Sequence, residues 1–379
     1  MSLSRPNRYL VFAWNFLFSC WFLALPLIYS YRFYNPYELP KFLWFVVGVW
    51  LLGVGKLCRG RAMVWDRLTI FILLYLLISF VSDLLGLDPR TSILGSYWRH
   101  QGWLTLAGGV LLFLLLEKRQ TGLLPNTILA STFLVSAFTC WQGARFYLLK
   151  DPAVPNYNGR IVGTMGNPNF LGGWLAMVLP LAMGEMEKLK LKQKSIINFL
   201  LLALSLTAIF LSGSRGAWLA VGIVGVLWLL VRRKFKILVI LLVSFSSFLL
   251  VFLHLRGVRV FIPWVSRDSI WENRLIIWQE GIKAAAKQPI FGYGQENFEL
   301  IFPADRRLPV DNAHNLFLEI FLSSGIIGLL IYLAILLEAF KKVSLAVRLS
   351  LLVFLVRAQF NPLSISEIAL FWYLLALEK

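Results

Sequence analysis

Charged residues are scarce in this chain. Asp, Glu, Lys and Arg make up 15% of its 379 residues, against about 25% in a soluble globular domain. Acids are the scarcer sign, 19 against 37 Lys and Arg, for a formal charge of +18. Cysteine and histidine occur three times each. Cys20 and Cys140 fall in apolar stretches and Cys58 in a basic one, which excludes a disulfide framework and a zinc spacing. His100, His254 and His314 are not at ligand spacing and no DxD is present, so no metal site is expected. Phosphate-loop GxxxxGK(S/T), HExxH and GxSxG patterns are missing as well. The closest acidic pairs, Glu185 with Glu187 and Glu296 with Glu299, have no histidine nearby and read as solvated charge. No solenoid repeat, low-complexity tract or inverted duplication is visible.

What the chain has instead is apolar length. Hydrophobic residues reach 59% and the mean hydropathy is +0.72. This excludes an ordinary soluble enzyme, a disordered tail and a coiled coil. A helical membrane span needs about 20 apolar residues, and about twelve apolar segments can be drawn: 9–30, 42–55, 68–86, 104–116, 127–148, 168–184, 196–212, 217–231, 237–254, 313–339, 344–357 and 367–377. The expected fold is all-α, a polytopic membrane bundle. Arg5 and Arg8 precede the first segment without a small-residue cleavage site, so it reads as a retained span. The positive charge marks the cytoplasmic ends of spans, and no nucleic-acid partner is expected. With the N-terminus inside, the inner loops and termini hold 20 Lys and Arg, while the short outer segments hold 9 and the long outer loop 255–312 holds 8. Both termini are therefore placed in the cytoplasm. The expected domains are a membrane bundle over 1–254, the outer loop over 255–312 and further spans over 313–379.

The long loop is the one non-membrane segment able to build structure of its own. Residues Asp268–Lys287 read as a helix. Ser269 and Glu272 form a capping box, Trp271, Leu275, Trp278 and Ile282 share a face, and Pro289 ends the pattern. That face would lie at the membrane surface or pack on the bundle.

Several polar residues collect on the outer side. Arg215 lies in the turn Leu211-Ser-Gly-Ser-Arg-Gly-Ala-Trp218. A charge at such depth is costly and tends to be paired or functional, or else it snorkels to lipid phosphates. The glycines beside it allow close approach of a ligand. Arg274 sits one turn from Trp278 on the loop helix, where a solvated cation–π contact would also explain it. His314 stands in Asp311-Asn-Ala-His-Asn-Leu-Phe-Leu-Glu319. It can accept a proton from a hydroxyl or serve as an interface histidine. Glu319, at i+5, faces away from it on a regular helix, leaving Asp311 or a backbone carbonyl to orient the ring. Asn167, Pro168 and Asn169 open a span with amides that can meet an anion. Arg99 and Arg160 complete the outer cations. A cluster of guanidinium groups suits a phosphate or pyrophosphate.

Gly166-Asn-Pro-Asn, the Ser-Gly-Ser-Arg-Gly turn, Arg274-x3-Trp278-x2-Gly281, Pro289-x2-Gly-Tyr-Gly294 and His314-Asn-x2-Leu318 followed by Gly325 and Gly328 occur in this order around one long outer loop. In this the chain resembles the O-antigen ligase and O-antigen polymerase (Wzy/WaaL) family. The resemblance implies a bundle of the type-C glycosyltransferase kind in a bacterial inner membrane. It implies a metal-independent inverting enzyme with no cofactor and its site on the outer, periplasmic face. The donor would be a polyprenyl (undecaprenyl) pyrophosphate-linked glycan, and the acceptor a hydroxyl of a lipid core, a glycan or a protein. By position, Arg215 and Arg274 would hold the donor pyrophosphate and His314 would act on the acceptor hydroxyl. Arg99, Arg160, Asn167, Asn169, Trp278 and Tyr293 would line the substrate. No motif separates ligase from polymerase or protein glycosylation. The competing class is a transporter or flippase for such a lipid, with Asp83, Glu319, Glu338, Arg348 and Arg357 as ionisable candidates.

Overall fold

A computed structural model describes residues 8–57, 65–116, 124–188, 196–237, 239, 270–302 and 310–377. Helices dominate them. In order they are α1 (Arg8–Ala24), α2 (Glu38–Leu57), α3 (Arg67–Leu85), α4 (Pro89–Leu94), α5 (Trp103–Leu115), α6 (Leu124–Tyr147), α7 (Pro168–Lys188), α8 (Ile196–Ser212), α9 (Arg215–Val231), α10 (Ile270–Ala285), α11 (Phe298–Ile301), α12 (Leu316–Lys342), α13 (Leu345–Ala358) and α14 (Ile365–Ala376). A two-residue hairpin, β1 (Asn156–Tyr157) against β2 (Arg160–Ile161), lies between α6 and α7. Eleven of the twelve apolar segments coincide with helices, and the remaining one, 237–254, lies almost wholly outside the described residues.

Among the described residues, α3 and α12 are long and apolar enough to cross a membrane, and α5, α9 and α14 are shorter apolar helices. Helices of this kind suit a membrane bundle. The helix pairs follow from residue size. Ser79 of α3 meets Ser324 of α12 at 3.4 Å, and Tyr75 packs on Tyr332 with ring centroids 5.5 Å apart. Small and polar residues at such a seam let apolar helices approach and bond. At the other end, Asp66 caps α3 by accepting from the Thr69 amide at 2.9 Å and pairs with Lys342 at 2.6 Å. Trp174 of α7 is fully buried and donates its indole N–H to Thr132 of α6 at 3.1 Å.

One break matters more than the helices around it. Gly325 has φ +65° and interrupts α12. The freed carbonyls of Leu322 and Ser323 accept from the amides of Tyr293 and Gly294 at 2.7 and 3.0 Å, and the Ile326 amide donates to Pro289 at 2.8 Å. The loop segment Pro289–Gly294 is thus seated in the kink. A kinked membrane helix is tolerated when something re-satisfies its backbone, and this loop does so. A Cβ at 325 would overlap the Ile290 carbonyl. The seat is continued on α3, where the buried Asp83 accepts from the Gln295 amide at 2.7 Å and the Leu87 amide donates to Tyr293 at 3.1 Å.

The loop helix α10 falls within the expected 268–287, and Asp268 and Ser269, the latter half of the expected capping box with Glu272, lie outside the described residues. Of the two placements open to its Leu275 and Ile282 face, packing on the bundle is not the one seen. Ile277, Gly281, Ala284 and Ala285 are buried, while Leu275 and Ile282 are exposed. Gly281 is the cause: it admits Leu318 of α12, which would lie 3.0 Å from a Cβ there. The helix therefore turns its smallest face to the bundle. Its apolar cluster, with Tyr293, Phe298 and Phe302, shares Leu318, Phe321 and Leu322 with α12.

Gly325→Ala should displace the loop and destabilise the protein by about 1–3 kcal/mol, the cost of a side chain forced into strained backbone. Thermal denaturation in detergent measures the loss, and faster tryptic cleavage at Lys283 and Lys287 reports the displaced loop. A variant with wild-type melting and cleavage would show that the seat does not hold the loop.

Candidate active site

Four elements bring cations to one end of the bundle. Arg160 comes from β2, Arg215 opens α9 after a turn with Gly213 at φ +58°, Arg274 comes from α10 and His314 precedes α12. The sites act on one another in sequence. Arg160 is pulled down to about 10, first by burial and then by Arg215. Arg274 is lowered by burial and again by Arg215. The His314 imidazole is held down at about 4 by burial, then by Arg99 and Arg274, with Asp311 opposing. Arg160, Arg215, Arg274, His314 and Arg99 thus lie within electrostatic reach of one another along this series.

Each member has a local frame. Arg160 donates through Nε to the Ser212 carbonyl at 2.9 Å and through Nη2 to Asn169 Oδ1 at 2.7 Å. Asn167 Oδ1 accepts from the Asn169 amide at 2.8 Å, and Pro168 begins α7. The Asn-Pro-Asn segment thus caps its helix and holds Arg160. Gly172 lets α7 approach the Ser-Gly-Ser-Arg-Gly turn, since a Cβ there would lie 2.7 Å from Ser214. Trp278 donates its indole N–H to the Ala313 carbonyl at 3.1 Å and so ties α10 to the histidine segment.

Two expected substrate contacts are spent on structure. Arg99 forms a two-pronged pair with Asp311, both bonds 2.6 Å, and its side chain is 11% exposed. Although burial opposes its charge, Asp311 keeps it above the ordinary arginine range. The Tyr293 hydroxyl is buried and donates to the Ala284 carbonyl at 2.8 Å.

His314 has φ +52°, a left-handed backbone that non-glycine residues seldom adopt. The Asn312 side chain accepts from its amide at 2.8 Å, and Asn315 caps α12 by accepting from Leu318 at 3.0 Å. Glu319 does not orient the ring; it accepts from the Ala313 amide at 2.8 Å. Asp311, the other candidate for that task, is committed to Arg99 and reaches the ring only through its field. The His314 Nδ1 is buried without a hydrogen-bond partner. Such a ring is neutral at pH 7 and able to take a proton.

Sequence reasoning named Arg357 only as an ionisable candidate of a transporter and passed over the rest of the platform beside this cluster. Arg357 and Glu367 are fully buried and 3.1 Å apart, and Arg357 Nη2 donates to the Asn169 carbonyl at 3.0 Å. Glu367 closes a capping box with Ser364, and Glu38 of α2 accepts from the Ile365 amide at 2.9 Å. Lys41 donates to the Thr164 carbonyl at 2.8 Å. Asn361 is buried and accepts from Arg274 at 3.3 Å. Two signals were available for part of this: Ser364-x-x-Glu is a capping pattern, and Arg357 is a charge in an apolar run.

The unfolded histidine titrates near 6.5. With the folded value near 4, the contribution of a neutral His314 to stability is whole above about pH 6.5 and is lost as pH falls towards 4. Arg274→Gln removes one cation and should move the His314 midpoint up. A histidine NMR titration, with His314→Gln to assign the signal, measures it. An unchanged midpoint would mean that the ring does not sense Arg274.

Residues 200–333 match the family model Wzy_C, described as O-Antigen ligase. The match contains Arg215, Arg274 and His314. A protein of Rickettsia conorii, provisionally named a polysaccharide ligase, is 26% identical over 186 residues, which cover 45% of this chain and 43% of that one. The chain thus spans less than half the length of this relative. Residues 200–333, which include the turn before α9, α10 and the break in α12, are thus similar to the O-antigen ligase family.

Proposed function

We propose that this protein is a metal-independent, inverting glycosyltransferase of the O-antigen ligase type. It would move a glycan from a polyprenyl-pyrophosphate donor to an acceptor hydroxyl. The observation that carries this reading is the convergence of the partly buried Arg160 and Arg274 and the exposed Arg215 beside the half-buried His314, whose basicity is depressed. Like charges held together in a poorly solvated place repel one another. A multiply charged anion relieves that repulsion, and guanidinium forks match phosphate oxygens.

In the proposed step the acceptor oxygen attacks the anomeric carbon from the face opposite the pyrophosphate. The bond from that carbon to the pyrophosphate oxygen breaks, and its electron pair leaves with the pyrophosphate. Arg215 and Arg274 stabilise the charge on the leaving group. The hydroxyl proton passes to His314. Direct displacement inverts the anomeric centre. Positioning and electrostatics supply most of the acceleration.

The acceptor is a lipid A-core or similar hydroxyl in this proposal, with repeat-unit polymerisation and protein glycosylation as variants of the same chemistry. The site would face the periplasm, with the chain in the inner membrane. A transporter needs ionisable groups free to change partners. Here Asp83 is bonded to Gln295, Arg357 to Asn169 and Glu367, and Glu319 to Ala313, which favours transfer.

Reconstituted in liposomes with a polyprenyl-pyrophosphate oligosaccharide and EDTA, the wild type should label a lipid-core extract, the donor itself or a Ser-rich peptide. Arg274→Ala and His314→Ala should fold and lose about 100- to 1000-fold in rate, the usual cost of one such stabilising group. Full activity in both variants would overturn the site. Labelled lipid crossing the bilayer with no transfer to any acceptor would favour the transporter.

A further inference from the structure

The cations of this protein are held in two different ways. Arg99 meets Asp311, Arg145 meets Asp151, Arg232 meets Glu187 and Arg357 meets Glu367. In each pair a carboxylate offsets the charge. Arg160, in the cluster, is held instead by neutral oxygens, the Ser212 carbonyl and Asn169 Oδ1. Arg274 receives a neutral oxygen of the same kind from Asn361, at 3.3 Å.

Asn361 lies between α13 and α14, far in sequence from both arginines, and is 4% exposed. Its two amide atoms face two parts of the site. Oδ1 accepts from Arg274. Nδ2 abuts Gly216, where a Cβ would lie 2.5 Å away. Gly216 is the residue after Arg215, so one buried amide spans the α10 cation and the turn that carries the α9 cation.

From this juxtaposition we infer that Asn361 is a positioning residue for the donor diphosphate. It sets Arg274 against the Arg215 turn and does so without offsetting charge. A carboxylate in its place would make a stronger bond to Arg274 and compete with the phosphate oxygens. The inference rests on the diphosphate reading given above and adds the determinant of the cation spacing.

The test uses the full chain in detergent, with polyprenyl pyrophosphate as the binding probe, alongside donor KM and kcat in liposomes. Asn361→Asp keeps the shape of the side chain and adds one negative charge. It should weaken probe binding and raise donor KM about tenfold or more, as an added charge contact of ordinary strength would, with acceptor KM unmoved. Asn361→Ala should raise donor KM several-fold. Gly216→Ala should reproduce that effect by displacing the amide, and the double variant Gly216→Ala with Asn361→Ala should be no worse than either alone, as coupled neighbours behave. A purely structural role would lower the melting temperature and leave donor KM where it was. Wild-type binding by a folded Asn361→Asp variant overturns the inference even if the alanine variant fails to fold. Absence of binding by the wild type overturns the diphosphate reading and takes the inference with it; intact wild-type binding with unaffected variants removes Asn361 alone.

Discussion

A helix that is broken inside an apolar bundle must find new partners for the backbone groups the break exposes. At Gly325 those partners are the amides and carbonyl of Pro289, Tyr293 and Gly294. This exchange decides where the long loop sits. Once the loop is fixed there, α10 can lie across α12 only by its small face at Gly281, and Arg274 and Trp278 are carried to the histidine segment. Asp83 and the Leu87 amide extend the same seat onto α3. The candidate site is therefore assembled by backbone hydrogen bonding well before any ligand is considered.

The second constraint is electrostatic. Three guanidinium groups and an imidazole share one end of the bundle, and burial and mutual repulsion oppose the charges of Arg160 and Arg274. Repulsion between like charges would scatter flexible side chains. Here Arg160 is pinned by Ser212 and Asn169, and the platform of Arg357, Glu367 and Glu38 supports Asn169 and the Ile365 backbone beneath it. Arg99, which sequence position grouped with the cluster, belongs to the supports: its pair with Asp311 ties the segment before α5 to the one before α12. His314 keeps a depressed basicity through burial first and then through Arg99 and Arg274, with Asp311 opposing them.

Much of this was legible in the residues. Apolar runs located eleven helices, because burial in lipid or protein demands continuous hydrophobicity. The glycines beside Arg215 read as points of close approach, and Gly216 is one, against Asn361; Gly281 and Gly325, which entered only as motif positions, are close approaches too. What stayed hidden depends on tertiary meeting. Leu275 and Ile282 share an apolar face by period that suits either the membrane surface or the bundle, and only the tertiary meeting at Gly281 shows that the bundle takes another face. Tyr293 looks like a substrate contact in its motif, yet its hydroxyl closes a loop. Asn361 carries no pattern at all in the chain; its place follows from where α13 and α14 leave their connection.

The platform also sets an order of construction. Glu38 bonds to the amide of Ile365, a partner 327 residues later, and Arg357 and Asn361 reach back to Asn169 and Arg274. During synthesis the cation cluster can be inserted long before these late residues leave the ribosome. Until they arrive, Arg274 has no Asn361 and Asn169 no Arg357. The cluster is therefore without these supports until α13, α14 and the segment between them have packed against it.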